Sequence, residues 1–186
     1  MEVKNILDNI TKELAQTIHD LDEAQLQELE KQIKKADKIF VAGAGRSLMM
    51  IRGLAMRLMH MGFTAYVVGE TVTPAIEEDD LLIIASGSGS TSTLAVMAEK
   101  CKKTNVKLAL ITANKDSIIG KLADFIIDVK TTTSKGDKKT TSIQPGGNTF
   151  EQMVLLLGDA IIIDITSSRS LDENNAILMG KHANLE

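Results

Sequence analysis

The run Leu81-Leu82-Ile83-Ile84-Ala85 contains no polar position, and Leu108 to Thr112 is almost as apolar. A strand with one wet face alternates apolar and polar side chains. A strand without alternation is covered on both faces, as in a parallel α/β sheet. From Lys38 onward the chain repeats a pattern of strand, loop and helix. Strands are expected at 38–42, 64–68, 81–85, 107–112 and 124–129. Helical stretches fall at 46–61, 91–103 and 117–122. A last long helix is expected over 149–166, carrying Phe150, Met153, Val154, Leu156, Leu157, Ile161 and Ile165.

The first 36 residues have a different character. Val3, Ile6, Leu7, Ile10, Leu14 and Ile18 recur at helical steps as one apolar stripe. A second helix opens with Asp22 as cap, Gln25 three residues on, and Leu21 and Leu26 as a hydrophobic staple. Its apolar positions are Leu26, Leu29 and Ile33. The chain therefore divides into a helical arm, 1–36, expected to serve oligomerisation, and an α/β domain, 37–186. Met49, Met50, Met56, Met59 and Met61 crowd one helix, which suits core filling or a subunit contact.

Charge and composition exclude several roles. A net charge of −4, 3% aromatics and no tryptophan argue against a nucleic-acid partner. No apolar run approaches the roughly 20 residues that span a bilayer, so no membrane association is expected. The opening MEVKNILDNI lacks the basic region and apolar core of a signal peptide. The single cysteine, Cys101, leaves no internal disulfide and no Cys-rich metal site, which fits a cytoplasmic protein. His19, His60 and His182 show no ligand spacing, so no metal is expected, and neither glycine-rich loop carries the fingerprint of a nucleotide cofactor, so no cofactor is expected.

Two loops carry the chemistry. Gly43-Ala44-Gly45-Arg46-Ser47 follows the first expected strand, and Ser86-Gly87-Ser88-Gly89-Ser90-Thr91 follows the third. Small residues let backbone approach a ligand, and the helix that follows each loop offers unpaired N–H groups to an anion. The first loop fails the dinucleotide fingerprint, because Leu48 stands where the third glycine belongs. The second lacks the Gly-Lys-Ser/Thr ending of a nucleotide-binding P-loop. What remains is a hydroxyl-rich nest suited to a monophosphate. Ser86, Ser88, Ser90 and Thr91 can each donate to it, with Gly45, Arg46, Gly87 and Gly89 as further candidate substrate contacts.

Glu151 sits in the first turn of the last long helix, after Gln144-Pro145-Gly146-Gly147-Asn148. Its spacing from Asn148 fits a capping box; the same position fits a carboxylate general base beside the phosphate loops. Residues 130–142, KTTTSKGDKKTTS, read either as a solvated loop or as a basic flap that draws in an anionic substrate.

At GAGRS, SGSGST and QPGGNTFEQ the chain resembles the sugar isomerase (SIS) domain family. AMRLMHMGF, VVGETVTPAI and the terminal HANLE extend that resemblance, over essentially the whole chain, to the 6-phospho-3-hexuloisomerases. The resemblance implies a flavodoxin-like three-layer sandwich with a five-stranded parallel sheet, and a homotetramer. It implies interconversion of D-arabino-3-hexulose 6-phosphate and D-fructose 6-phosphate in formaldehyde fixation by the ribulose monophosphate route, with 3-hexulose-6-phosphate synthase as the functional partner. It also implies Ser47, Ser86, Ser88 and Thr91 as phosphate ligands, Glu151 as the catalytic carboxylate and a histidine from a neighbouring subunit, His182 by its position, with His60 the second candidate. Two alternatives are left open: another SIS-type phosphosugar isomerase, such as one acting on arabinose 5-phosphate, and a phosphosugar sensor without catalysis.

Overall fold

The apolar runs form the centre of a five-stranded parallel sheet in the computed structural model, which describes residues 2–131 and 142–185. The strands are β1 (Ile39–Gly43), β2 (Ala65–Val67), β3 (Leu81–Ala85), β4 (Lys107–Thr112) and β5 (Phe125–Asp128), in the order β2-β1-β3-β4-β5. The helices are α1 (Val3–His19), α2 (Glu23–Lys35), α3 (Gly45–His60), α4 (Ser92–Lys103), α5 (Thr149–Ile165) and α6 (Leu171–Lys181). Among the described residues, no helix is long and apolar enough to cross a membrane.

Strand periodicity divides the core in two. Ile39, Val41, Leu81, Ile83 and Ile111 point to one face, where they meet α2, α3 and α5. Phe40, Leu82, Ile84, Leu108 and Leu110 point to the other, where Leu94, Ala98 and Cys101 of α4 cover them. Double coverage is why these strands have no polar alternation. Burial also pushes the Cys101 thiol up to about 11, so it is protonated filler at neutral pH.

The arm docks as two helices on the first face. Asp22 caps α2 by accepting from Ala24 N, 2.9 Å. Gln25 does not complete a capping box; its side chain accepts from Asp128 N at 2.8 Å and so satisfies a backbone donor of edge strand β5. The α1 stripe is only partly covered: Leu14 packs on the core, while Val3, Leu7 and Ile18 are exposed.

Two expectations need correction. Residues 117–122 form turns, not a helix. The Ser117 hydroxyl accepts from Gly120 N at 3.1 Å, an alternative to helical pairing, while Ile119 still reaches the core. Conversely, α6 follows what was expected to be the last helix. Its capping box is visible in sequence, since Ser170 accepts from Glu173 N and Glu173 accepts from Ser170 N. None of its residues is buried, so it offers no core stripe to find.

Candidate active site

From β1 the chain moves outward to β2, and then returns to β3 on the other side of β1. A crevice opens beyond the carboxyl ends of adjacent strands at such a reversal. Both glycine-rich loops leave the sheet there, after Gly43 and after Ala85. They line a pocket of about 440 Å³ together with the start of α5.

Helix α5 is brought in by α3. The two lie side by side in the same direction: Arg46 approaches Glu151, Leu54 meets Gly158, and Arg57 pairs with Asp159. Gly158 permits this, because a Cβ there would lie 3.2 Å from that of Leu54. The first turns of α3 and α5 and the cap of α4 thus border one pocket. Each helix start presents unpaired N–H groups and the positive end of its dipole, so the pocket favours an anion.

The second loop is held from behind by the end of β4. Gly87 O accepts from Ala113 N at 3.1 Å and from the Thr112 hydroxyl at 3.3 Å. Gly89 has φ +59°, and a Cβ there would fall 2.0 Å from Ser117 Oγ. Its role is to let the loop back onto the 114–117 turn, and it does not line the pocket. Gly45, Arg46, Ser47, Ser86, Gly87, Ser88 and Thr91 all do. Ser47 and Ser86 are buried, and the hydroxyls of Ser86 and Thr91 lie 3.5 Å apart.

Glu151 lies on the same wall, its side chain 16% exposed. Asn148 makes no side-chain cap bond, and the capping box that its spacing allowed is not formed. The carboxylate is therefore not used in holding the helix end. Its Oε2 is buried without a hydrogen-bond partner among the described residues, and the nearest cation, Arg46 Nε, is 3.9 Å away. A buried carboxylate oxygen left unpaired beside an anion pocket can take up a proton from a bound molecule. Gly146, Asn148 and Phe150 complete the wall. Sequence reasoning did not single these out, although the Pro145-Gly146-Gly147 turn before the helix was a signal for them.

The histidines are elsewhere in the chain. His60 ends the 16-residue α3, about 22 Å from its pocket end at ~1.5 Å per residue. His182 caps α6 and stacks on His60, with centroids 5.7 Å apart. Burial, His182 and Arg57 together hold the His60 ring below its ordinary value, so it is neutral at pH 7. Neither ring lines the pocket of its own chain. His19 is exposed on α1. No cluster of three or more His, Cys, Asp or Glu suited to a metal occurs among the described residues. Most of the basic segment 130–142 lies outside the described residues.

Comparison with known proteins identifies the family of the chain. The sequence profile of the SIS domain matches residues 32–156. A 3-hexulose-6-phosphate isomerase of Bacillus subtilis (strain 168) is 41% identical over 189 residues, covering 100% of both chains. One from Mycobacterium gastri is 37% identical, covering 100% of this chain and 92% of its own. A crystal structure from Methanococcus jannaschii, from which a molecular function of 3-hexulose-6-phosphate isomerase was inferred, superposes with a TM-score of 0.81 at 35% identity. That match covers 99% of this chain and 98% of the other.

Proposed function

The chain belongs to the SIS domain family, and on that premise we propose that it interconverts D-arabino-3-hexulose 6-phosphate and D-fructose 6-phosphate. The observation that carries this reading is the unpartnered Oε2 of Glu151 in the wall of the phosphate pocket. Ser47, Ser86, Ser88 and Thr91, with the helix N–H groups, hold the substrate phosphate. Glu151 removes the C2 proton of the 3-ketose. The electron pair forms the C2–C3 double bond of an enediol, and the same carboxylic acid returns a proton to C3. The hydroxyl proton at O2 passes to O3, leaving the carbonyl at C2. No net oxidation occurs, so the balance needs no redox partner.

Arg46, 3.9 Å from Glu151 and half exposed, faces the developing enediolate charge. His182, from a neighbouring subunit, moves protons between the oxygens; His60 buttresses it by stacking. The exposed Val3, Leu7 and Ile18 of the arm and Met49, Met56 and Ile163 support a homotetramer in which residues 1–36 serve assembly. In the same proposal the protein acts in the cytoplasm, in the ribulose monophosphate pathway of formaldehyde fixation. A 3-hexulose-6-phosphate synthase supplies its substrate.

Proton NMR of fructose 6-phosphate in D₂O tests the reading. Deuterium entering at C3 is expected. Exchange at C1 instead would make the protein an aldose–ketose isomerase, and binding with no exchange would make it a sensor.

A further inference from the structure

We propose that Glu13, on α1 of the arm, is a positioning residue for the catalytic carboxylate; this rests on the function proposed above. Glu13 is distant in sequence from the pocket, yet its carboxylate gathers four donors from the segment that leads into α5. Oε1 accepts from Ile143 N at 2.9 Å. Oε2 accepts from Ser142 Oγ at 2.8 Å, Thr149 Oγ1 at 3.2 Å and Gln144 Nε2 at 3.3 Å.

The network does not stop at the carboxylate. Gln144 Nε2 shares its two protons among Glu13 and two further acceptors, Thr149 Oγ1 at 3.0 Å and Gln152 Oε1 at 3.1 Å. Gln144 and Thr149 are both buried. Glu13 thus grips the first turn of α5 on both sides of Glu151, directly through Thr149 and through Gln144 to Gln152. Asn148 supplies no cap bond to that turn, so the arm supplies the anchor instead.

Chemistry explains the residue type. All four partners are donors, and only an ionised carboxylate accepts them all. No cation is paired with Glu13 among the described residues. Its charge is met by these donors and by the positive end of α5. An amide in its place would turn an N–H group toward at least one of them. The phosphate loops hang from β1 and β3 and are not attached to this network; of the three helix ends at the pocket only that of α5 depends on it, so its loss falls mainly on turnover.

The test is Glu13→Gln in the full-length protein, assayed for isomerisation and for fructose 6-phosphate binding. We expect kcat to fall at least about tenfold, since small misplacements of a catalytic group cost that much or more. The fructose 6-phosphate Kd should stay within about threefold of wild type, because the phosphate contacts remain. A kcat change below twofold, or equal losses in kcat and affinity, overturns the proposal. If Glu13→Gln does not fold, Ser142→Ala and Thr149→Val each delete one donor and are read by the same split. Amide exchange over 143–152 separates the two readings. An inactive wild type defeats the proposed function, while faster exchange in Glu13→Gln still supports the clamp and unchanged exchange defeats it.

Discussion

Glu151 and Arg46 face each other at 3.9 Å, too far for a tight ion pair, and that looseness leaves both groups available to a substrate. Removing the base should cost turnover and little else. Glu151→Gln is expected to lower kcat by about 10²–10⁴ with near-normal binding of fructose 6-phosphate by calorimetry. Ser86→Ala deletes a buried pocket hydroxyl that the proposal assigns to the phosphate. A hydrogen bond to a charged group is worth about 1.5–3 kcal/mol, so KM should rise roughly tenfold or more while kcat changes less. An unchanged KM would place the phosphate elsewhere. The two pocket loops were legible in sequence because glycine and serine after an apolar run have a direct physical meaning. Gly89 was assigned to the ligand for the same reason, although steric contact with Ser117 is what requires glycine there. That contact joins residues far apart in the chain and leaves no local trace.

At the scale of elements, the start of α5 is where the site is assembled, and α1 holds it. Burial works against ionisation of Glu13, but the hydrogen bonds from Ile143, Ser142, Gln144 and Thr149 prevail and hold its carboxyl below the ordinary 4.5. A lowered folded-state value makes the stabilisation complete above the unfolded value, and it is lost as pH falls through the lowered one. Wild type should therefore melt above Glu13→Gln at pH 7, and the difference should close below about pH 4.5. A gap that persists undiminished into acid would contradict the assigned network. Five strands and the helices α1 to α5 were readable from periodicity. Helix α6 was not, because it packs no apolar stripe into the core, and only its capping box betrayed it. The turn at 117–122 was read as a helix because Ile119 supplies the burial without the winding.

For the whole molecule, strand order decides where the pocket lies, and surface composition bears on the proposed assembly. The sheet reverses between β1 and β3, and the pocket opens there. Exposed Val3, Leu7, Met49, Met56 and Ile163 are poorly suited to remain in water. Light scattering should give a mass four times the 20.1 kDa of one chain, and a monomer at micromolar concentration would contradict the assembly. The rank of His182 could not be judged from one chain's sequence, because in the proposed assembly it serves a neighbouring subunit's pocket. The central claim is isomerisation between C3 and C2 by Glu151. It is tested most directly by generating 3-hexulose 6-phosphate from ribulose 5-phosphate, formaldehyde and a hexulose-phosphate synthase. Fructose 6-phosphate is then read through phosphoglucose isomerase and an NADP-linked dehydrogenase. The account predicts rapid NADPH formation with wild type, unaffected by EDTA, and at least about a hundredfold less with Glu151→Gln. Accumulation of the 3-ketose with wild-type protein present, or full activity in Glu151→Gln, would contradict it.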